Sequence, residues 1–121
     1  MRTLISFDID GTLEVGIPPG IVTIATVLAA KNLGYVIGSC SDRPLAHQRE
    51  IWEEFGVVPD FTVLKHRLAD VKASFVAAEY YHIGDTDVDH HAATTAGFSF
   101  VRAEPEALRS WTAALRLDGG A

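Results

Sequence analysis

The sequence predicts a three-layer α/β fold, a parallel sheet with helices on both faces, and three observations carry that expectation. Short apolar runs alternate with stretches of helical periodicity along the whole chain. No repeat, low-complexity tract or linker interrupts the pattern, so residues 1–121 read as a single domain. The residues richest in chemistry, Asp8, Asp10, Ser41, Lys65 and Asp85, each fall at or just past the end of an apolar run. In open parallel sheets that is where ligands bind.

The run opening at Leu4 is the first strand, closed by Asp8-Ile9-Asp10 and broken by Gly11-Thr12. A Pro/Gly-rich connection, Glu14 to Gly20, follows. A helix is expected from near Pro19 to Leu33, since Pro suits a first helical turn and Ile21, Ile24, Ala25, Leu28 and Ala29 form an apolar stripe. Gly34 stops it. Tyr35 to Ser41 is the second strand. Asp42-Arg43-Pro44 opens a helix carrying Leu45, Ile51, Trp52 and Phe55, closed by Gly56.

Phe61 to Leu64 is a short third strand, and after Lys65-His66-Arg67 a helix is expected from Leu68 through Val71, Phe75 and Val76. Tyr80 to Gly84 is the fourth strand, Asp87 to Ala96 a helix stopped by Gly97, and Phe98 to Val101 the fifth strand. Glu104-Pro105 begins a last helix through Leu108, Trp111 and Leu115, and the tail from Asp118 to Ala121 is expected to fray. Crossovers should be right-handed.

Composition narrows the function classes. A hydrophobic fraction of 48% excludes general disorder, and no apolar run approaches a membrane span. Asp8 and Asp10 sit where a signal peptide needs an apolar core, so a soluble cytoplasmic protein is expected. Ten Lys plus Arg against sixteen Asp plus Glu give a net charge of −6, which disfavours binding along a nucleic-acid backbone. The single Cys40 lies in an apolar run and reads as a packing residue rather than a catalytic thiol.

The chemistry starts at Asp8 and Asp10. Residues two apart on an extended chain point the same way, so both carboxylates can address one volume past the strand end. Like charges that close need a cation or a shared proton, and a hard divalent ion such as Mg2+ prefers oxygen ligands. An EF-hand loop would need more oxygen ligands before its Gly, whereas Gly11 follows Asp10 at once. A second pair, Asp85 and Asp89, follows the fourth strand; spacing i, i+4 would set both on one helix face. Thr86 and Asp87 read instead as helix-capping residues.

Phe7-Asp8-Ile9-Asp10-Gly11-Thr12-Leu13 resembles the first signature of the haloacid dehalogenase (HAD) superfamily, an apolar strand followed by Asp-x-Asp-Gly-Thr-Leu. Gly84-Asp85-Thr86, Asp89, Ala92, Ala96 and Gly97 resemble that family's fourth signature. Ser41, with Arg43-Pro44 after it, matches the family's phosphoryl-binding Ser or Thr better than Ser39. Lys65 fits the required Lys, and Lys72 reads as a solvated helix residue.

The resemblance implies a Rossmann-like sheet of order 5-4-1-2-3 and a Mg2+-dependent phosphatase of phosphate monoesters. It makes Asp8 the nucleophile and Asp10 the proton shuttle, with Ser41 and Lys65 neutralising the phosphoryl oxygens. Mg2+ would be held by Asp8, Asp85 and the backbone carbonyl of Asp10, and Asp89 would orient its water shell or Lys65. Thr12, Ser41, Asp42 and Arg43 would face the substrate.

Arg43, His66 and Arg67 lie near the expected mouth, as substrate contacts or as ordinary surface charges. His90 and His91 read as solvated helix positions, since imidazole pairs suit zinc and this site is built of carboxylates. Glu14 to Gly20 is too short for the cap domain many relatives carry, and Val63 to Arg67 leaves no second slot. An open site follows, suited to a small phosphate ester ahead of a phosphoprotein or nucleic-acid end, or covered by a second copy of the chain. A regulatory module with the same fold and a receiver-like phosphorelay domain are the competing classes. A receiver would place its phosphorylated Asp after the third strand, where Lys65 stands.

Overall fold

Five apolar runs pair side by side in the computed structural model, which describes residues 2–118. They are β1 (Thr3–Phe7), β2 (Val36–Ser41), β3 (Phe61–Leu64), β4 (Glu79–Gly84) and β5 (Ser99–Arg102). The order is β3-β2-β1-β4-β5 and every pairing is parallel, the expected 5-4-1-2-3 read from the other edge. Helices α1 (Ile24–Asn32), α2 (Leu45–Glu54), α3 (Leu68–Ser74), α4 (Asp87–Ala96) and α5 (Pro105–Ala114) make the crossovers and the final layer of a Rossmann-like α/β fold. Among the described residues no helix is long and apolar enough to cross a membrane.

Alternation along the strands builds two cores. Ile5, Phe7, Ile37 and Ile83 pack with Val27 and Ala30 of α1, Trp52 of α2 and Trp111 of α5. Their neighbours Leu4, Val36 and Cys40 face the other way, onto Leu68 and Val71 of α3, Ala93 of α4 and Phe98. Burial also pushes the Cys40 thiol up to about 12, so it is an inert packing group. The chain steps outward from β1 to β3, then α3 returns it to the far side of β1, where β4 pairs. That reversal makes β1 and β4 neighbours and sets two acidic strand ends beside each other.

Two helices differ from expectation. Helix α1 begins at Ile24, not Pro19, because residues 12–22 spend their backbone groups on one another. Leu13 bridges Val22, Glu14 N–H donates to Val22 O at 2.8 Å and Gly20 N–H to Leu13 O at 2.8 Å. Thr23 then caps the helix, its Oγ1 accepting from Thr26 N–H at 3.1 Å. Helix α3 stops at Ser74; Phe75 is already extended, with φ −127°, and Val76 is 82% exposed. The tail expected to fray lies, past Asp118, outside the described residues. Neither the β1–α1 loop nor the 3₁₀ turn Lys65–Arg67 after β3 holds an inserted domain.

The two buried indoles test the packing. Trp52 Nε1–H donates to Ser39 Oγ at 3.0 Å, whereas Trp111 Nε1 has no partner among the described residues. Trp52→Phe should therefore cost about 1 kcal/mol more than Trp111→Phe, the net value of one hydrogen bond. Urea unfolding of the two variants measures the difference, and equal costs would contradict the assigned bond.

Candidate active site

The first acidic loop leaves β1 at Asp8, whose N–H donates to Ile83 O of β4 at 2.9 Å, so its backbone is held against the neighbouring strand end. Asp8 is 3% exposed and Asp89 fully buried. Two glycines allow the loops to close. Gly11 has φ +76°, and a Cβ there would stand 2.0 Å from Asp85 Oδ2. A Cβ on Gly84 would stand 2.2 Å from Asp89 Cγ. With both absent, Asp8, Asp85 and Asp89 each bring an oxygen into a cluster in which all lie within 4.8 Å. The buried Thr12 hydroxyl sits between them, 3.3 Å from Asp8 Oδ2 and 3.4 Å from Asp85 Oδ1.

Lys65, first residue after β3, supplies the opposing charge. Its Nζ lies 3.2 Å from Asp89 Oδ1, 3.7 Å from Asp8 Oδ1 and 3.8 Å from Asp42 Oδ2. Burial works against the ammonium, but Asp8 and Asp89 outweigh it and hold its pKa above the ordinary value. The two carboxylates divide this help unequally. Burial, then the charge of Asp89, pushes Asp8 up to about 8 against the pull of Lys65. Burial raises Asp89 too, yet the hydrogen bond from His82 and the charge of Lys65 bring it down to about 2. One ammonium thus faces three carboxylates.

Asp10 points elsewhere. Arg43 grips its carboxylate as a fork, Nε at 3.0 and 3.1 Å from the two oxygens and Nη2 at 2.8 Å from Oδ1. That fork first, and the Ile17 N–H at 2.8 Å as well, hold the Asp10 carboxyl below the usual range. Its side chain therefore stands outside the cluster, so the Asp8 and Asp10 carboxylates do not address one volume as their two-residue spacing suggested: Arg43 draws the second one away.

Ser41 ends β2, is buried, and accepts from Arg43 N–H at 3.1 Å. Its rival Ser39 is consumed by the core, donating to Gln48 Oε1 at 2.6 Å and accepting from Trp52. Lys72 is likewise spent elsewhere, donating to Gly97 O at 3.0 Å. Of the mouth residues, Arg43 is taken by Asp10 and Arg67 by Asp70 at 2.6 Å. His66 is left beside a groove of about 430 Å3 that runs from Asp42 and Lys65 between α3 and α4, past Leu68, Val88 and Ala92.

Asp85 and Asp89 converge for a reason other than a shared helix face. Asp85 lies in the bend before α4 and Asp89 in its first turn. Thr86 is the N-cap, as expected, and Asp89 closes the capping box with it. Asp87 pairs with Arg102 at 2.8 Å. His90 and His91 are exposed on α4, as expected, with His90 stacked on Phe100.

Two residues of the site gave no signal in the sequence. His82 is simply one residue of the Tyr80 to Gly84 run, and Gln48 one of the residues between Leu45 and Ile51 in the second helix. Yet Gln48 is fully buried and donates to Val63 O at 3.1 Å and Arg43 O at 2.9 Å, tying the turn after β2 to β3. A polar residue one turn into a helix, opposite small strand residues, is the pattern that would have pointed to it.

The donor set fits a hard divalent ion. Asp8 and Asp85 offer carboxylate oxygens, the cluster carries more negative charge than Lys65 offsets, and among the described residues no His or Cys ligand joins it. Asp89 is already engaged on both oxygens, Oδ1 by His82 and Lys65 and Oδ2 by Thr86. No protein-family model matches the chain, and no curated protein matches it either.

The buried charge of Asp8 has a measurable cost. Its folded pKa lies above that of an unfolded carboxyl, so stability is lost as pH rises from about 4 towards about 8. In EDTA, Asp8→Asn should melt higher than the parent, with a gap that widens over this range to roughly 3–8 °C. Differential scanning calorimetry checks it; a parent that melts higher at pH 8 would refute the assigned burial.

Proposed function

We propose that the chain is a Mg2+-dependent phosphatase of the HAD type, acting on a phosphate monoester through an aspartyl phosphate. The observation that carries this reading is the convergence of Asp8, Ser41, Lys65 and Asp85 at the carboxyl ends of four adjacent parallel strands. A lone acid pair has many explanations. Acids with a half-buried ammonium 3.7 Å from Asp8 and 3.2 Å from Asp89, and a buried hydroxyl on the next strand, have few.

Once Arg43 has left it, Asp10 takes up a proton from solvent; Asp8 Oδ attacks phosphorus, the P–O bond to the alcohol breaks, and Asp10 gives that proton to the departing oxygen. Asp10 then takes a proton from the water that attacks the same phosphorus, which frees phosphate and restores the Asp8 carboxylate. Lys65 and Ser41 neutralise the equatorial oxygens throughout. Mg2+, held by Asp8, Asp85 and the Asp10 carbonyl, would offset charge on the phosphoryl group as it transfers. Asp89 positions Lys65. Arg43 must leave Asp10 before a proton can pass, and the incoming phosphoryl oxygens are an anion able to draw it away. The groove beside Lys65 and His66 leaves room for the body of a small ester.

Arg43 also favours a second reading. A guanidinium that stays on Asp10 removes the proton shuttle and leaves a module that accepts or binds a phosphoryl group without turning it over.

Aryl phosphate hydrolysis separates the two. Mg2+-dependent turnover is expected, lost in EDTA and reduced at least about 10³-fold in Asp8→Asn, with a roughly 10²–10³-fold loss in Lys65→Ala. Lys72→Ala should match the parent. Equal activity in Asp8→Asn would end the nucleophile assignment, and stoichiometric phosphorylation without turnover would favour the second reading.

A further inference from the structure

Strand β4 carries one residue the reaction above does not use. His82 is fully buried, yet both ring nitrogens have partners: Ser6 Oγ lies 2.9 Å from Nδ1 and Asp89 Oδ1 lies 3.1 Å from Nε2. Ser6 stands directly opposite it in the β1–β4 ladder. The same Asp89 Oδ1 meets Lys65 Nζ at 3.2 Å, and Lys65 reaches Asp8 at 3.7 Å. The contacts run without a break from Ser6 through His82, Asp89 and Lys65 to Asp8.

A strand buried on both faces ordinarily takes an apolar residue there. Burying an imidazole against a carboxylate costs stability unless every polar atom is satisfied, so packing alone does not call for this arrangement. What it does is immobilise a carboxylate. Thr86 N–H and Oγ1 hold Asp89 Oδ2 at 3.3 and 2.9 Å, and His82 holds Oδ1, so the group cannot rotate. The lysine side chain is flexible and its ammonium goes where its acceptor is.

Building on the phosphatase reading, we infer that His82 is a positioning residue for Lys65: with Ser6 behind it, it fixes Asp89 so that the ammonium stands beside Asp8. His82 touches neither the reacting oxygens nor the candidate ligand Asp85. It acts through Asp89.

Two readouts on His82→Leu, His82→Gln and Ser6→Ala test this. With aryl phosphate and Mg2+, His82→Leu should lower kcat by roughly 10–100-fold while KM moves less than about threefold. His82→Gln, whose amide N–H can replace Nε2–H, should recover kcat to within about fivefold of the parent. The second readout needs no turnover. Under brief acylation of the native protein, read by mass spectrometry, Lys65 should label at least about fivefold faster in His82→Leu than in the parent, with Lys72 unchanged.

Parent-like kcat and Lys65 labelling in a folded His82→Leu would overturn the inference, as would a His82→Gln that falls as far as Leu. If His82→Leu does not fold, Ser6→Ala decides: faster Lys65 labelling supports the relay and parent-like labelling overturns it. A parent without phosphatase activity defeats the reaction assigned above, while the labelling comparison still judges His82.

Discussion

Lys65 answers two buried carboxylates with one ammonium, and the molecule is arranged around that imbalance. Placing Asp8 and Asp89 out of water costs several kcal/mol per charge unless partners replace the lost hydration. Asp89 receives such partners in full from His82, Thr86 and Lys65, and its pKa falls to about 2. Asp8 receives Lys65 at a longer distance, the Ile9 N–H and a shared hydroxyl, and burial and the charge of Asp89 outweigh them and push its pKa up to about 8. The same sheet end thus holds one saturated acid and one starved one. The starved acid stands beside Asp85, with oxygens of Asp8, Asp85 and Asp89 within 4.8 Å, in a donor set that could hold a divalent cation.

The topology produces this imbalance. The reversal after β3 puts β4 against β1, so their acidic ends meet instead of lying on opposite edges. Gly11 then leaves room for Asp85 of the neighbouring loop, and Gly84 leaves room for Asp89 at the start of α4. The β1–α1 loop folds on itself through Leu13 and Val22 and leaves the mouth uncovered, with Ile17 78% exposed at its rim. Arg43 stands over Asp10 at that mouth.

Much of this was legible in the sequence because strand ends are marked locally. Asp8, Ser41, Lys65 and Asp85 each follow an apolar run, and such runs set both the sheet and the direction in which it opens. Phe61–Leu64 and Asp87–Ala96 were bounded by Pro, Gly and capping residues and came out as read. Helix α1 was read too long because Ile21 continues an apolar stripe, while the hydrogen bonds that keep residues 12–22 out of the helix join positions nothing in the pattern connects. Asp85 and Asp89 were joined for the wrong reason, since a four-residue spacing says nothing once a bend intervenes. His82 and Gln48 were invisible for a deeper one. Each is polar, fully buried, and satisfied by residues of other elements, Ser6 and Asp89 for His82 and Ser39, Arg43 and Val63 for Gln48, which only the fold brings together.

Equilibrium Mn2+ binding, followed by the loss of the free-ion EPR signal, addresses the charge imbalance most directly. One ion per chain is expected, displaced by Mg2+ and lost in both Asp8→Asn and Asp85→Asn, with Lys72→Ala unchanged. No binding at millimolar Mn2+, or the same stoichiometry in both Asn variants, would contradict the view that the strand ends of β1 and β4 form a cation site.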